Sequence, residues 1–542
     1  MVDGQGLACP PKRHRCVRGA FERICSKRVT RKAWPIVLVV LYGIILAATA
    51  RVGTPEQPVP PAPVANLLDK PLGEDAFYMF SVARSLAEGH GLTYGGTPTT
   101  GVQPLAAFLY AGLYWTSARA GLPDTFPLRA VILTNVLLLL LTGVLSGRLV
   151  ARRLRAMGAR DTDALWIVPT LVVVNPAAFR LFEYGLETGL YLALIVALQL
   201  AVEARRGWFT TGLLLGLCLV ARLDFAVIGA VVFGWRLVTR RLRISEAIPI
   251  AIVALVVVGP WMWHVYQLTG GVMPSSGMAE SGMPTAADDL ALRAWTMTTV
   301  MAVATTAVLY IPLLNQVLNT AIVVVAAALC LILWQWPPFR PHVRAEGPWF
   351  AGAVVLAGYY VLTSTATHFY GRYLAPFWLV WVQLAGTAIV LAALQDRARR
   401  VVMSTAACIL LVVLFALEIG YTLHRGRLGN PHLATAFYVT GHAGELGTVG
   451  AFQSGLVGYE SHERVVNLDG KVDGRALSWR GHEECYLAER GITTVIDWPT
   501  YIENGWLDRG FVRTRMREIG RVAGGHSVIM HVDTAGLRCT SP

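Results

Sequence analysis

The sequence predicts a mainly α-helical, polytopic membrane protein with about eleven transmembrane helices and a small C-terminal α/β domain outside the membrane. Of its 542 residues, 54% are hydrophobic and only 15% are charged, whereas an average soluble protein has about 25% charged residues. The apolar residues form blocks of about 17–24 residues, the length that crosses a hydrocarbon core of about 30 Å. Backbone amides in that core have to be hydrogen-bonded within the segment, so these blocks are predicted to be helices.

The predicted membrane spans follow these apolar blocks along the chain. They fall near residues 33–50, 127–149, 163–181, 184–202, 208–222, 224–239, 246–266, 314–336, 347–366, 373–394 and 401–420. The segment 290–312 is predicted to be an interfacial or re-entrant helix. A further span there would place the arginines at 340–344 and 397–400 on the external side, against the tendency of basic residues to remain cytoplasmic.

The net charge of +13 is concentrated at the ends of the apolar blocks. The tail before the first span is basic, and further arginine clusters precede or follow spans at residues 148–155, 205–206, 236–243, 340–344 and 397–400. Clusters of this kind mark the cytoplasmic ends of spans, so the N-terminus is predicted to be cytoplasmic and the lipid bilayer to be a partner. No basic stripe interleaves with aromatic residues, which argues against a nucleic-acid partner.

This assignment divides the chain into a basic cytoplasmic tail, a membrane core and an external C-terminal domain, at residues 1–32, 33–420 and 421–542. The core carries two long external loops, 51–126 and 267–313. In the C-terminal domain, short β-branched runs such as 493–496 alternate with polar segments, which predicts a small α/β or α+β unit. Cys485 and Cys539 share this domain. They either form a disulfide, as an oxidising compartment permits, or remain free thiols.

The first external loop contains an acidic pair, Glu74 and Asp75, directly before a stretch in which apolar residues have helical spacing. That stretch, 76–88, is predicted to be a helix that stops at Gly89. Carboxylates at a helix N-terminus interact favourably with the helix dipole, which is one interpretation of the pair. The other is a general base at the membrane surface that takes a proton from an acceptor hydroxyl.

Two further polar elements stand at the predicted external ends of spans. Glu183 and Glu187 lie four residues apart, so both project from one helical face. Arg222 and Asp224 belong to the turn between two spans. Either they form a local ion pair that caps a hairpin, or Arg222 holds a phosphate group, for which guanidinium geometry is well suited.

The fourth element, His368 and Arg372, also has a spacing of four residues and stands at the external entrance of a span. All four polar elements are therefore predicted to lie on the same side of the membrane. An inert scaffold would scatter its polar residues over both faces, because they would share no task. The convergence predicts a functional site at the external surface of the bilayer.

Several of these residues belong to longer stretches that resemble a known family. Residues 74–77 and 83–92 resemble the first-loop signature of GT-C-fold glycosyltransferases, in particular a bacterial branch that includes mycobacterial arabinofuranosyltransferases. Similar stretches follow in the order that this branch uses, at residues 185–188, 222–224, 270–274, 372–373, 454–459 and 466–472. The resemblance covers most of residues 70–480.

The resemblance implies an enzyme, a GT-C glycosyltransferase that moves a sugar from a polyprenyl-phosphate donor to a cell-envelope glycan or lipid acceptor, with inversion at the anomeric carbon. It also implies a bacterial inner membrane, with the site and the C-terminal domain on the periplasmic face. The implied catalytic residues are Glu74 and Asp75, one of which is the general base. The implied donor-phosphate ligands are Arg222, Arg372 and His368, and the implied substrate-binding residues are Tyr78, Gln103, Glu187, Asp224 and Tyr373.

The chain departs from this family at three informative places. The acidic pair is commonly Asp-Asp or Asp-Glu, whereas here it is Glu74-Asp75, so either carboxylate remains a candidate for the base. Relatives often have Pro-Asp where this chain has Leu223-Asp224. They also often carry an Asn and a Lys near 274–280, where this chain has Ser275, Ser276 and Glu280. Contacts to the donor or the acceptor are expected to differ in that segment.

The sequence makes no cofactor certain and leaves two other classes of function open. Some GT-C enzymes use a divalent metal and others do not, and the paired carboxylates could bind Mg²⁺ or Mn²⁺. A transporter or flippase for a lipid-linked glycan would need charged or broken segments at the bilayer midplane and repeat symmetry, which the sequence does not display. A non-catalytic membrane scaffold is the remaining alternative, and its function would be insensitive to replacement of Glu74 and Asp75.

Overall fold

The structure is a computed structural model of the chain. It describes residues 35–55, 65–69, 71–158, 163–175, 185–282, 286–306, 335–395, 431–462, 465–504 and 507–537, together with isolated positions outside these ranges. The tail 1–32, Glu183 and nearly all of the predicted spans 314–336 and 401–420 lie outside the described residues.

Helices form most of the described chain up to residue 395. Their bounds are α1 Pro35–Thr49, α2 Ala76–Ala87, α3 Pro104–Arg119, α4 Phe126–Ala156, α5 Ala164–Val173, α6 Thr188–Glu203, α7 Trp208–Ala221, α8 Phe225–Val238, α9 Ile244–Thr269, α10 Ser275–Ala279, α11 Ala287–Thr306, α12 Arg340–Thr363, α13 Tyr370–Tyr373 and α14 Ala375–Gln395. A hairpin of β1 (Thr93–Tyr94) and β2 (Thr97–Pro98) follows α2. The predicted helix 76–88 is confirmed as α2. It ends before Gly89, whose φ of 87° is a conformation that glycine adopts readily.

Among the described residues, three helices are long and apolar enough to cross a membrane: α4, α9 and, over Ala375–Leu394, α14. The helices α1 and α5 to α8 are apolar but shorter. Large apolar side chains on these helices are exposed, for example Leu137 at 63%, Val256 at 70% and Val238 at 81%. Such a surface is favourable against lipid and unfavourable against water. The mainly helical architecture is confirmed, whereas the count of about eleven spans stays a prediction.

Two helices have boundaries that differ from the predicted spans, and proline accounts for both. The helix α5 stops at Val173, and Pro176 in the sequence disfavours helical conformation at Asn175, which precedes it. The helix α12 begins at Arg340, ahead of the predicted 347, with Pro341 in its first turn. Proline is well tolerated there, and hydropathy alone does not detect a polar first turn.

Short connections reverse the chain between successive helices, so one end of the bundle collects many helix termini. The helices α6, α8 and α14 begin at this end, and α7, α9 and α12 end there. Buried apolar side chains from α4 to α8, α12 and α14 form one continuous core beneath it. The core therefore fixes the positions of the connecting turns, which carry the polar residues singled out in the sequence.

The C-terminal domain is a mixed α/β unit, as predicted. Its elements are α15 Pro431–Gly441, α16 Ala443–Leu446, β3 Val449–Ala451, α17 Gly455–Glu460, β4 Val465–Asn467, α18 Arg475–Ser478, α19 Glu483–Glu489, β5 Thr494–Asp497, α20 Pro499–Asn504, α21 Arg509–Arg515, β6 Met516–Val522 and β7 Ser527–Val532. The strand order is β4-β3-β5-β7-β6. The pairs of β3 with β4 and β5 are parallel, and those of β7 with β5 and β6 are antiparallel. Of the two alternatives for the cysteines, the structure has the Cys485–Cys539 disulfide.

The first external loop and the C-terminal domain share one hydrophobic core. Phe77 and Phe80 of α2 are fully buried in the same cluster as Leu433, Leu456 and Tyr459 of the C-terminal domain. The aromatic rings of Phe77 and Tyr459 lie 5.2 Å apart. The helix that follows the acidic pair is therefore held from above by the C-terminal domain, which places that domain over the polar end of the bundle.

Candidate functional site

A cavity of about 660 Å³ lies where the helix termini meet the first external loop and the C-terminal domain. Seven of the residues predicted from the sequence line it: Asp75, Tyr78, Gln103, Arg222, Asp224, Arg372 and Tyr373. Glu74, Glu187 and His368 are not among its lining residues. Three of the four polar elements thus meet at one cavity, and the fourth reaches it through Glu187, which contacts Arg222.

Three of the predicted carboxylates occupy the same structural position, the residue before a helix. Asp75 precedes α2, Glu187 precedes α6 and Asp224 precedes α8, and none of these side chains caps its own helix with a hydrogen bond. An acidic residue at this position commonly accepts a hydrogen bond from the first turn. Here the three carboxylates turn to arginines instead, so contacts within the site determine their orientation.

Arg222 is held by carboxylates on both sides. Its Nη1 donates to Glu187 Oε1 at 2.8 Å, and its Nη2 donates to Asp224 Oδ2 at 2.7 Å and to the Tyr360 hydroxyl at 3.1 Å. The Tyr360 hydroxyl in turn donates to Asp224. The local Arg222–Asp224 ion pair expected from the sequence is present, and most N–H groups of this guanidinium are already engaged.

Arg372 has fewer partners. Its Nη1 lies 3.4 Å from Asp75 Oδ2, and its guanidinium lies over the rings of Phe369 and Tyr373, at 4.5 and 5.6 Å from their centroids. Its Nε is buried and has no hydrogen-bond partner among the described residues. A guanidinium with unused donors beside a cavity is suited to binding a phosphate oxygen.

Glu74 points away from its neighbour Asp75. Its Oε1 accepts a hydrogen bond from the backbone N–H of Leu456 at 3.2 Å. Gly455 packs so closely that a Cβ there would lie 2.6 Å from the same oxygen. Burial, reinforced by the charge of Asp75, raises the pKa of Glu74 above its ordinary value. The neutral form of Glu74 is therefore favoured, and its contacts belong to the C-terminal domain.

Tyr78 lines the cavity, but its hydroxyl is engaged by the C-terminal domain. It donates to Phe452 O at 3.2 Å and accepts from the Ser454 N–H at 3.0 Å. The hydroxyl of Tyr94 donates to Ser454 O at 2.6 Å. Burial raises the pKa of Tyr78, so this hydroxyl stays protonated. The two tyrosines hold the segment 452–454 against the first external loop.

The remaining predicted residues differ in their access to the cavity. Tyr373 stacks on Tyr360 with ring centroids 4.2 Å apart and forms an aromatic wall beside Arg222. Gln103 precedes α3 and lines the cavity from the first loop. His368 is exposed, and its ring packs against Phe369 with centroids 4.0 Å apart. The structure brings Tyr373 and Gln103 to the cavity and leaves His368 outside its lining.

Sequence reasoning assigned no role to three residues that line the cavity, Tyr360, Phe369 and Lys471, and noted a fourth, Glu280, only as a departure from the family. Tyr360 lies within an apolar helix and carries no signal in the sequence. Lys471 carried one, because it belongs to the stretch 466–472 on which the family resemblance partly rests. Its Nζ lies 3.0 Å from Glu280 Oε1 and 3.6 Å from Asp469 Oδ2.

The acidic pair does not have the arrangement that a divalent cation prefers. Mg²⁺ and Ca²⁺ are bound by several oxygen ligands that converge on one point. Asp75 pairs with Arg372, whereas Glu74 turns to the C-terminal domain. Among the described residues, no group of three or more His, Cys, Asp or Glu side chains could hold a metal ion. Binding of Mg²⁺ or Mn²⁺ by this pair stays a prediction from the sequence.

Comparison with known proteins gives structural matches and no sequence matches. No protein-family model matches the chain, and no curated protein matches it by sequence. The structure of ArnT from Cupriavidus metallidurans in the apo state is similar with a TM-score of 0.52 and 14% identity, over 94% of this chain and 100% of that chain. The structure of the same protein bound to undecaprenyl phosphate is similar with a TM-score of 0.50 and 14% identity, over 95% and 100% of the two chains.

These similarities extend over nearly the whole of both chains, so they include the helical bundle, the external loops and the C-terminal domain. Identity at this level establishes the fold alone. It agrees with the order of stretches by which the sequence resembles GT-C glycosyltransferases. The branch of mycobacterial arabinofuranosyltransferases is not distinguished by these matches. The chain has the GT-C fold.

Proposed function

We propose that this protein is a membrane glycosyltransferase that moves a sugar from a polyprenyl-phosphate donor to a cell-envelope glycan or lipid acceptor. The observation that carries the proposal is the pairing of Asp75 with Arg372 inside a cavity at the polar end of the helical bundle. A carboxylate and an arginine with unused donors supply, side by side, a base for the acceptor and a ligand for the donor phosphate.

The lining of the cavity suits a donor that is part lipid and part sugar phosphate. Val220, Val227 and Trp261 line the wall formed by α7, α8 and α9. The charged lining residues lie on the loops above that wall, among them Asp75 and Arg372. A polyprenyl chain would contact the apolar wall while its phosphate reaches the arginine. The structure of the similar ArnT with undecaprenyl phosphate supports this class of donor.

The proposed reaction is a single displacement with inversion at the anomeric carbon. The acceptor hydroxyl oxygen attacks that carbon as its proton passes to a carboxylate. The bond between the anomeric carbon and the phosphate oxygen breaks, and its electron pair leaves with the polyprenyl phosphate. The negative charge that develops on the leaving phosphate is stabilised by cations already in place, foremost Arg372. No proton donor is needed, because a phosphate leaves as a stable anion.

Asp75 is the better candidate for the base than Glu74. Asp75 lines the cavity, whereas Glu74 lies outside its lining and accepts a hydrogen bond from Leu456. The raised pKa of Glu74 favours its neutral form, and a neutral carboxyl cannot take a proton. We therefore assign Asp75 as the base and Glu74 as a residue that fixes the C-terminal domain on the first loop.

The other candidates are proposed either to contact the substrates or to orient the residues and loops around the cavity. Gln103, Asp224 and Tyr373 line the cavity and are proposed to contact the sugar or the acceptor. Glu187 touches Arg222 and is proposed to orient it, since the two form an ion pair at 2.8 Å. Arg222 is proposed to orient Asp224 and to contribute its positive charge at a distance. Tyr78 and His368 are proposed to act on the loops that enclose the cavity.

The site is proposed to face the periplasm of a bacterial inner membrane, with the C-terminal domain above it and the acceptor entering between them. The predicted cytoplasmic clusters support this orientation, because Arg153 and Arg240 lie near the ends of α4 and α8 opposite the cavity. The positive-inside tendency places that end in the cytoplasm. The sugar and the acceptor are not specified by this argument.

The test is transfer by the purified protein from a panel of radiolabelled polyprenyl-phosphate sugars onto cell-envelope glycan fragments. Wild type is compared with Asp75→Asn and Glu74→Gln, because each change removes one charge with little change in shape. We expect transfer from one donor, a loss of about 10²–10⁴-fold in Asp75→Asn and retained transfer in Glu74→Gln. A transporter or a scaffold would show no transfer with any donor.

A further inference from the structure

The C-terminal domain contributes its own loop, residues 467–473, to the cavity. Ser275 Oγ donates to the backbone oxygen of Lys471 at 2.9 Å, and the Ser275 N–H donates to Thr100 Oγ1 at 2.9 Å. A Cβ at Gly101 would lie only 1.9 Å from that same Lys471 oxygen. The backbone of Lys471 is thus fixed between the first external loop and the segment that contains α10.

The side chain of Lys471 extends from this fixed backbone to the cavity. Its Nζ lies 3.0 Å from Glu280 Oε1 and 3.6 Å from Asp469 Oδ2. It also lies 5.2 Å from the ring centroid of Phe369, the ring over which Arg372 lies at 4.5 Å. Lys471 and Arg372 therefore share one aromatic neighbour, and both line the cavity.

The charges that line the cavity balance one another. Among the described residues, the lining carries three cations, namely Arg222, Arg372 and Lys471, and three carboxylates, namely Asp75, Asp224 and Glu280. Each cation has one of these carboxylates as a partner. Glu187 and Asp469, outside the lining, add further carboxylates beside Arg222 and Lys471, so the site has no surplus positive charge. A donor phosphate that enters it adds a negative charge, and the leaving phosphate approaches a charge of about −2 near pH 7. At least one internal ion pair has to open for that charge to be matched.

The Lys471–Glu280 pair is the one best placed to open. Arg222 is engaged by two carboxylates and a tyrosine, and the partner of Arg372 is the proposed base, Asp75. Glu280 and Lys471 are each 19% exposed, so Glu280 already reaches solvent, to which it can turn. An ammonium has three donors and can keep its contact with Asp469 while it contacts a phosphate.

We propose that Lys471, supplied by the C-terminal domain, is a second phosphate-binding cation of this site and exchanges Glu280 for the donor phosphate when the donor binds. The inference rests on the proposed function, since it concerns the same donor. The charged state of Lys471 is secure, because the surrounding carboxylates raise its pKa despite its burial. The C-terminal domain then contributes a ligand to the donor site as well as enclosing it.

The experiment measures binding of undecaprenyl phosphate, without a sugar, to the full-length protein in nanodiscs. The variants are Lys471→Met, Glu280→Gln and, as a matched control, Arg480→Gln. Arg480 also joins the C-terminal domain to the same segment, since its Nη2 donates to Ala279 O at 3.0 Å, but it does not line the cavity. It therefore reports on a purely structural contact between the two regions.

Lys471→Met is expected to weaken binding by about 10–100-fold, the size of a lost hydrogen bond between charged groups. Glu280→Gln is expected to tighten binding, because it removes the carboxylate with which the phosphate competes. Arg480→Gln is expected to leave binding unchanged. The opposite signs of the first two changes identify a competition for Lys471, which a structural brace would not produce.

Two results would overturn the inference, and they are distinct from failure of the proposed function. One is equal binding of the lipid phosphate by wild type and by Lys471→Met, with thermal unfolding showing that the variant is folded. Lys471 is then not a ligand. If Lys471→Met and Glu280→Gln both weaken binding, the pair is a brace of the segment 271–282. If wild type does not bind the lipid phosphate at all, the proposed function fails and the inference fails with it.

Discussion

The two ends of the helical bundle each contain a buried arginine held between two carboxylates, and they differ in what surrounds it. Arg222 at the cavity end contacts Glu187 and Asp224. Arg153 at the opposite end contacts Glu203, with Nε to Oε1 at 2.7 Å, and Glu346. The side chains of the two arginines are equally buried, at 6% and 7% exposure. Charge pairing and burial alone do not distinguish the two ends.

The surroundings do distinguish them. Around Arg153 the network continues into the helices, since Gln199 Nε2 donates to Glu346 Oε2 at 3.4 Å and Gln383 Nε2 donates to Gln199 Oε1 at 3.0 Å. These amides are fully buried. Around Arg222 the network meets the cavity, and a less engaged arginine, Arg372, stands beside it. We infer that a carboxylate-bound arginine is a brace at either end, and that the cation with unused donors marks the site.

The largest expected effect is at the end of the bundle opposite the cavity. Arg153→Gln leaves Glu203 and Glu346 without their cation inside the helices, and a broken buried ion pair costs about 3–5 kcal/mol of folding stability. Denaturant unfolding in detergent micelles measures this loss. Arg152→Gln, which changes the exposed neighbouring arginine, is the control and is expected to lie within about 0.5 kcal/mol of wild type. Equal stability of both variants would contradict the role of Arg153 as a brace.

Arg222→Gln tests whether the cavity end of the bundle is stabilised by its arginine in the same way. We expect a loss of about 1–3 kcal/mol of folding stability, smaller than at Arg153 because Asp224, one of the two carboxylates left behind, lines the cavity and keeps the Tyr360 hydroxyl as a donor. The same unfolding measurement is made without any ligand. Unchanged stability together with lost binding of undecaprenyl phosphate would show instead that Arg222 is mainly a phosphate ligand, as the sequence alone suggests.

Arg372→Gln tests the cation with unused donors. Binding of undecaprenyl phosphate is expected to fall about 10–100-fold, the value of charged hydrogen bonds to a phosphate. Folding stability is expected to change by less than about 1 kcal/mol, because the pair with Asp75 is partly exposed. Arg372→Lys keeps the charge without the planar fork and is expected to fall between wild type and Arg372→Gln. A stability loss as large as that of Arg153→Gln would make the two ends alike.

The sequence predicted the residues of the cavity better than their contacts. Hydropathy located the helices, because apolar blocks of the right length have few other stable structures in lipid. The alternation of spans then placed the turns containing Asp75, Arg222 and Arg372 on one side, and the structure gathers them at one cavity. The local sequence could not show that Arg222 is engaged by Glu187, a residue 35 positions away.

The residues that sequence reasoning left out are those whose placement depends on packing between distant parts of the chain. Lys471 reaches the cavity only because the C-terminal domain docks on α2 through residues such as Leu456 and Tyr459. The different directions of Glu74 and Asp75 are set by that docking as well, since Leu456 supplies the donor to Glu74. These two neighbouring carboxyl groups therefore differ in their surroundings for a reason that lies in the last third of the chain.

The smallest expected effect concerns this difference between Glu74 and Asp75, and it is a dependence on pH. Burial raises the pKa of Glu74 above its ordinary value of 4.5, so the folded state holds a proton that the unfolded state releases. Linkage then makes folding stability fall as the pH rises from the ordinary glutamate range toward the raised value.

Glu74→Gln imitates the protonated side chain and keeps the oxygen that accepts from Leu456, so the folding stability of this variant is expected to depend less on pH over this range. Denaturant unfolding at several pH values compares it with wild type and with Asp75→Asn. An equally steep fall in Glu74→Gln would assign the titration to another group and would remove the main ground for preferring Asp75 as the base.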